Sequence, residues 1–136
     1  MDERNGEIVL EKVAPERRHC VEAAWNPLPI HERPGVVAHA GIEPKDVDVI
    51  YVGNMNGGFV RQEFHSSLAL QAHPDLRFKP STRVENACAT GSAAIHMGLS
   101  TLAAGKARFV LVVGVEKMTE LNSAQAGEVL IKASYV

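Results

Sequence analysis

Cys88 stands in a stretch of small residues whose types and spacing could support nucleophilic chemistry. The stretch is Val84-Glu85-Asn86-Ala87-Cys88-Ala89-Thr90-Gly91-Ser92-Ala93-Ala94-Ile95. It predicts a short strand that ends before the cysteine and a long helix that begins there. A helix start presents free N–H groups and a positive dipole end, which favour a thiolate and can stabilise the oxyanion formed when sulfur attacks a carbonyl. The small neighbours leave room for an acyl group.

The residues alone also allow a second interpretation of Cys88. Most free cysteines in proteins are small, buried side chains that behave as hydrophobic packing groups. The spacing by itself therefore leaves two alternatives open for Cys88, a nucleophile and a packing residue.

The pattern of apolar and turn-forming residues after residue 35 predicts the helices and strands that position Cys88. A helix ends at residues 36–40 and is closed by Gly41 in the left-handed conformation. Strands are predicted at 47–52, 81–85 and 108–113, and helices at 63–72 and 87–104. The last strand is apolar almost throughout, which is typical of a parallel strand covered on both faces. The alternation predicts an α/β fold with a doubly wound sheet, and no closing element is predicted after the last strand.

The amino-terminal segment differs from the rest of the chain. Residues 1–34 hold four of the seven prolines, and these disfavour long helices. A short strand at 7–10 and a short helix at 17–25 are the elements that this segment allows. We therefore divide the chain into a divergent segment, 1–34, and a partial domain, 35–136.

Three stretches together resemble the thiolase family. In the first, the residues in the family's places are Val84, Cys88, Ala89, Thr90, Gly91, Ser92, Ala94, Ile95 and Leu102. The second is Gly114-Val115-Glu116-Lys117-Met118-Thr119, which is similar to the family's Gly-x-Glu-x-Met-Ser/Thr. The third is Ala40-Gly41-Ile42-Glu43-Pro44-Lys45-Asp46-Val47-Asp48, which leads into a strand ending Val52-Gly53-Asn54. The matches cover about residues 35–136, in order and at family spacing.

The resemblance implies a fold and a reaction. The fold is a thiolase-like amino-terminal half, with a mixed, mostly parallel sheet and helices on both faces, incomplete in this chain. In acetyl-CoA acetyltransferases and 3-ketoacyl-CoA thiolases, the cysteine at the place of Cys88 takes the acyl group of a coenzyme A thioester. The reaction expected of the intact protein is thiolytic cleavage or Claisen condensation, with coenzyme A thioesters as substrates and no bound cofactor. Glu85 stands where most thiolases carry a small polar residue, and this exchange resembles the sterol-carrier-protein-type branch.

The resemblance also implies what the chain lacks and how it assembles. The family's later motifs (Gly-His-Pro, Cys-x-Gly and Asn-Glu-Ala-Phe) do not occur after Cys88. We expect the isolated chain to be inactive, because its catalytic partners lie in the other half. The strand at 81–85 pairs across a two-fold axis in the family's dimer, so a homodimer or homotetramer is expected of the intact protein. The family opens with a central strand, which is missing here unless residues 8–13 supply it.

Several other functions are disfavoured by composition. A net charge of −2 gives no basic excess for nucleic acid, and the longest apolar run, 109–113, is too short to span a membrane. The spacing of Cys20, Cys88 and the six histidines predicts no metal site, and His96 is interpreted as a helix-face residue. The glycine-rich stretch 53–58 lacks the spacing of a phosphate-binding loop and predicts a plain turn. We expect a cytoplasmic protein, or a peroxisomal one if its source is a eukaryote.

Two alternative functions remain. A ketoacyl-synthase-like condensing enzyme would share the fold and the cysteine position, although the Thr90-Gly91 pair and residues 116–119 favour a thiolase. A non-catalytic fragment that dimerises through the strand before Cys88 is the other alternative.

Overall fold

The computed structural model describes residues 10–13, 18–24, 36–55, 57–59, 61–118 and 121–134. The strands in this part are β1 (Leu10–Val13), β2 (Arg18–Ala24), β3 (Val49–Gly53), β4 (Ser81–Val84) and β5 (Phe109–Gly114). The α-helices are α1 (Val36–His39), α2 (His65–Ala69), α3 (Thr90–Ala103) and α4 (Ser123–Leu130). Short 3-10 turns lie at Pro44–Asp46, Gly57–Phe59, Pro74–Leu76, Ala87–Ala89 and Ile131–Ala133.

The strands form one mixed sheet in the order β1-β2-β5-β3-β4. The pairs β2·β5, β5·β3 and β3·β4 are parallel, and β1 is antiparallel to β2. The carboxyl ends of β3, β4 and β5 therefore meet at one end of the sheet, where ligands bind in open α/β folds. The expectation of a mixed, mostly parallel sheet is confirmed.

The hydrophobic core lies on both faces of the sheet, because alternate residues of the two central strands point to opposite sides. One cluster packs with α3 and comprises Tyr51, Ala94, Leu102, Ala107, Val110 and Val112. The other packs with residues of α1 and α2 and comprises Val47, Ile50, Val52, Leu76 and Leu111. The expected helices on both faces are therefore present.

Most elements after residue 35 match the sequence-based predictions. The strands lie within about two residues of the predicted ranges, and Gly41 closes α1 with a φ of 68°. The helix predicted at 63–72 is shorter, because Phe64 precedes it in the left-handed conformation with a φ of 58°. The helix predicted at 87–104 starts with a 3-10 turn, and its α-helical part begins at Thr90.

The helix predicted in the amino-terminal segment was wrong. Residues 18–24 of the predicted helix 17–25 form strand β2, which pairs with β5 from His19↔Phe109 to Ala24↔Gly114. Pairing with a neighbouring strand overrides the weak local preference of such a short segment. The middle of the five-stranded sheet is β5, and β1 (Leu10–Val13) lies at an edge, so residues 10–13 do not supply a central strand. Of the strand predicted at 7–10, only Leu10 falls within the described residues.

Helix α4 was not predicted, although the sequence contains its start signal. Asn122 accepts a hydrogen bond from the Gln125 N–H at 3.0 Å, and the Gln125 side chain accepts one from the Asn122 N–H at 3.1 Å. This reciprocal pair is a capping box, which satisfies two backbone donors at the helix start. Across the described ranges, the helices are too short or too polar to cross a lipid bilayer.

Candidate active site at the carboxyl ends of the strands

Cys88 lies in the 3-10 turn Ala87–Ala89, between β4 and α3. Its thiol is free and its side chain is exposed. The predicted junction of strand and helix is therefore present, although one short turn separates the cysteine from the α-helix. Exposure removes the alternative in which Cys88 is a buried packing residue.

The residue before the cysteine has an uncommon backbone conformation. Ala87 has a φ of 44°, in the left-handed region that costs a non-glycine residue free energy. Its N–H donates to Glu85 Oε1 at 2.7 Å, so the carboxylate holds the chain at the point where it turns. The sharp change of direction between β4 and α3 places Cys88 on the outside of the turn.

Thr90 holds the turn from its other end. Its side chain is 6% exposed, and Oγ1 accepts a hydrogen bond from the Asn86 N–H at 2.8 Å. The same hydroxyl donates to the Ala87 carbonyl at 2.6 Å. The Ala89 N–H donates to the Asn86 carbonyl at 2.9 Å. One buried hydroxyl thus fixes both residues that precede Cys88.

Strand β3 approaches this turn closely at Gly53. A Cβ atom at Gly53 would lie 3.3 Å from Thr90 Cγ2 and 3.6 Å from Ala94 Cβ. The absence of a side chain therefore lets the end of β3 pack directly against the residue that holds the turn.

Replacing Gly53 with alanine is expected to lower the free energy of unfolding by about 1–3 kcal/mol, because Thr90 must move to admit the new methyl group. The loss should shrink when Thr90→Ser removes Cγ2, the nearest atom. Urea denaturation of the two single variants and the double variant measures this coupling. Gly127→Ala is the matched control, since a Cβ there meets nothing within 4 Å. If Gly53→Ala lowers the free energy of unfolding equally in the Thr90 and the Thr90→Ser chains, the contact with Thr90 Cγ2 is not the cause of the loss.

A polar cluster centred on the buried Asn54 joins the carboxyl ends of β3, β4 and β5. Asn54, which is 3% exposed, donates through Nδ2 to the Val115 carbonyl at 3.0 Å and to Glu116 Oε1 at 3.2 Å. Arg83 donates from Nε to Asn54 Oδ1 at 3.0 Å and from Nη2 to the Asn54 carbonyl at 3.1 Å. The Met55 N–H also donates to Glu116 Oε1. Asn54 therefore links a cation on β4 to a carboxylate that follows β5.

An open cleft of about 440 Å³ lies beside these groups. Its lining residues are Met55, Gly58, Glu63, Arg83, Glu85, Lys132 and Ala133. Arg83 belongs to the polar cluster and Glu85 holds the turn before Cys88, so the cleft borders both. Charges of both signs line it, and the described residues contain no group of three or more histidine, cysteine or acidic side chains suited to a metal ion.

The other residues considered from the sequence lie elsewhere. Cys20 is on β2, where its backbone pairs with Val110, and His96 is an exposed residue of α3, as predicted. Asn54 and Glu116 lie in the motifs matched from the sequence, but those motifs predicted no role for either. Arg83 was not predicted as a site residue. Their contacts depend on which strands are neighbours, which the motifs alone do not specify.

Several known proteins are similar to this chain in sequence. The model of the family described as "Thiolase, N-terminal domain" matches residues 28–135. The chain is 47% identical over 88 residues to an acetyl-CoA acetyltransferase of Methanothermobacter thermautotrophicus, covering 64% of this chain and 23% of that protein. It is 45% identical over 104 residues to an acetyl-CoA acetyltransferase of Methanocaldococcus jannaschii, covering 76% of this chain and 26% of that protein.

A more distant relative is a hydroxymethylglutaryl-CoA synthase of Methanopyrus kandleri. It is 30% identical over 120 residues, covering 83% of this chain and 31% of that protein. The chain thus spans between about a quarter and a third of the length of these relatives. The matches do not favour the ketoacyl-synthase alternative.

Proposed function

Because this chain belongs to the thiolase family, we propose that it carries the nucleophile of an acyl-CoA acyltransferase and that Cys88 is that nucleophile. The observation that carries the proposal is the exposed Cys88 thiol in a turn held by Glu85 and Thr90 at the carboxyl ends of the strands. A strained, heavily hydrogen-bonded turn is a typical setting for a reactive side chain.

The proposed reaction has two halves. The Cys88 thiolate attacks the carbonyl carbon of a coenzyme A thioester, the tetrahedral oxyanion collapses, and the C–S bond to coenzyme A breaks. The acyl group is then a thioester on Cys88, and the departing coenzyme A thiolate takes up the proton that Cys88 gave up. The start of α3 supplies a positive dipole end near the developing negative charge. Transfer to the second substrate needs an acid or base, which we assign to the part of the relatives that this chain does not span.

The proposed substrates are short-chain coenzyme A thioesters, with acetyl-CoA as the acyl donor. The support is the name of the two most similar relatives quoted above, together with the cleft beside the turn, which is lined mainly by charged residues. A long alkyl chain would be poorly accommodated there, because burying it against charges gains little. We propose no bound cofactor. A nucleophilic thiol must stay reduced, which fits the cytoplasmic location expected from the sequence.

The isolated chain is expected to show no turnover with acetyl-CoA, since nucleophile, base and oxyanion donors act as a unit. Intact-mass measurement after incubation with acetyl-CoA, with free coenzyme A measured in parallel, tests this. Repeated release of coenzyme A by the chain alone would show that it holds a complete active site.

A hybrid enzyme tests whether Cys88 can act as the nucleophile when the missing part of the protein is supplied. In it, residues 36–134 of this chain replace the corresponding segment of the M. jannaschii acetyl-CoA acetyltransferase. The host supplies the length that this chain does not span, so acyl transfer by the hybrid enzyme should depend on Cys88.

We also propose that the protein forms a homodimer through β4. This strand is an edge of the sheet and pairs only with β3 among the described strands. Two exposed aromatic residues precede it in the chain, Phe64 at 79% and Phe78 at 99% exposure. The Ser81 hydroxyl joins β4 to α2 by donating to the Ser66 carbonyl at 2.7 Å. An unpaired edge beside exposed aromatic side chains is a surface that a second copy can cover.

Replacing Phe78 with asparagine is expected to weaken the dimer without unfolding the chain. Phe78 has a φ of 67°, a conformation that asparagine tolerates well, so the change removes apolar surface and also relieves strain. Light scattering over a concentration series measures the shift towards monomer. Met97→Gln on α3 serves as the control, since Met97 is 45% exposed on another element. Equal dissociation by both variants, or a monomeric unaltered chain, argues against this interface.

A further inference from the structure

In the cluster of Arg83, Asn54 and Glu116, the buried Asn54 uses all of its hydrogen-bonding groups. Its amide donates both hydrogens, to the Val115 carbonyl and to Glu116 Oε1, and its side-chain oxygen accepts from Arg83. Its backbone N–H donates to the Val84 carbonyl at 3.2 Å, and its backbone carbonyl accepts from Arg83. A buried side chain with every donor and acceptor matched specifies one arrangement of its neighbours.

The Asn54 side-chain amide lies between the two charged residues of the cluster and contacts both. Arg83 makes two hydrogen bonds to Asn54, and Glu116 Oε1 receives the Asn54 amide and the Met55 N–H. Through the buried Asn54, the cluster thereby ties together the ends of β3, β4 and β5.

This cluster is connected to the Cys88 turn by two contacts. The Val84 carbonyl accepts the Asn54 N–H, and Val84 is the last residue of β4, three residues before the turn Ala87–Ala89 begins. Gly53, the neighbour of Asn54, packs against Thr90, and its carbonyl accepts the Val115 N–H at 2.9 Å. A shift of Asn54 would therefore move both the strand that enters the turn and the residue that holds it.

Glu116 has one oxygen that the cluster does not use. Oε2 is buried and has no hydrogen-bond partner among the described residues. A glutamine could keep Oε1 as the acceptor and place its amide nitrogen at the Oε2 position. Asn54 offers no such freedom, because an aspartate would lose both donors and bring a second negative charge beside Glu116.

We propose that Arg83, Asn54 and Glu116 are positioning residues that hold the Cys88 turn in its reactive place, and that Glu116 serves there only as a hydrogen-bond acceptor. The inference rests on the proposed acyl transfer at Cys88. It distinguishes Glu116 from a catalytic acid or base, for which a partly buried carboxylate at the carboxyl ends of the strands would be a natural candidate.

The test compares two nearly isosteric changes in the hybrid enzyme. Asn54→Asp is expected to lower kcat by about 10²-fold with KM for acetyl-CoA changed by less than about threefold, since a small displacement of a reacting group has this size of effect. Glu116→Gln is expected to stay within about threefold of the unaltered hybrid enzyme in both constants.

Other kinetic results for the two variants would contradict the proposal. An unchanged kcat in Asn54→Asp removes the positioning role, and a Glu116→Gln loss as large as that of Asn54→Asp assigns Glu116 a proton-transfer or charge role instead. If Cys88→Ala leaves the hybrid enzyme active, the proposed function fails, whatever the cluster variants do.

Hydrogen exchange on the 136-residue chain decides the case if the hybrid enzyme does not assemble. The amides of Asn86 and Ala89 report on the turn, and the Ala126 amide, which donates to the Asn122 carbonyl in α4, is the internal control. Asn54→Asp should speed exchange of the two turn amides by about tenfold or more, with Ala126 and the Glu116→Gln chain unaffected. Equal acceleration at Ala126, or none at the turn, overturns the inference.

Discussion

Cys88→Ala is expected to lower acyl transfer by the hybrid enzyme by about 10⁴- to 10⁶-fold, the range found when a covalent nucleophile is removed. The reason is chemical, because alanine cannot form the thioester that connects the two half-reactions. The free energy of unfolding should change by less than about 0.5 kcal/mol, since Cys88 is exposed. Initial rates of acetoacetyl-CoA cleavage and formation measure the loss, and urea denaturation measures the stability.

Two controls separate the loss of the nucleophile from a general disturbance. Met97→Ala removes an exposed side chain from α3 and should leave both rates near those of the unaltered hybrid enzyme. Intact mass after incubation with acetyl-CoA should show an added acetyl group that is absent from Cys88→Ala. A Cys88→Ala hybrid enzyme that keeps its activity would leave the chain a binding or assembly module, the non-catalytic alternative.

Thr90→Val is expected to have the second-largest effect on acyl transfer, a loss of about 10²-fold in kcat. Valine has nearly the shape of threonine, so the change removes the hydroxyl and little else. It leaves the Asn86 N–H and the Ala87 carbonyl without the partner that fixes the turn. The loss of two hydrogen bonds, at about 0.5–1.5 kcal/mol each, should also lower the free energy of unfolding by about 1–3 kcal/mol.

Thr90→Ser is the matched variant, because it keeps the hydroxyl and gives up only a methyl group. Its kcat should remain within about threefold of the unaltered hybrid enzyme, and steady-state kinetics of the two variants side by side make the comparison. Equal losses in Thr90→Ser and Thr90→Val would attribute the effect to the methyl contact with Gly53 and not to the hydroxyl.

The sequence predicted the part of the fold that depends on local pattern. The run 109–113 and the β-branched residues of 49–52 identify buried strands, and Gly41 identifies a helix end, because each signal lies within a few residues of the feature. The strand β2 could not be predicted in this way. Six of its seven residues pair with β5, which lies some 90 positions further along the chain, and the local sequence pattern does not identify that partner.

The candidate site was predicted only in part for a similar reason. Cys88 was found because small residues and a strand–helix junction surround it in the sequence itself. The hydrogen bonds of Asn54 to Arg83 and Glu116 join residues 29 and 62 positions apart. Such contacts follow from the order of parallel strands, which the pattern of single segments does not determine.

The long reach of these contacts has a consequence for how the protein is made. Glu116 lies 28 residues after Cys88, so the ribosome adds the cysteine before the far end of its support exists. At the usual speed of synthesis, about 5–20 residues per second, this interval lasts about 1–6 s. During that time the nascent chain holds the thiol but not the carboxylate that accepts the Asn54 amide. The reactive arrangement is therefore completed late in translation of this segment, when the end of β5 arrives.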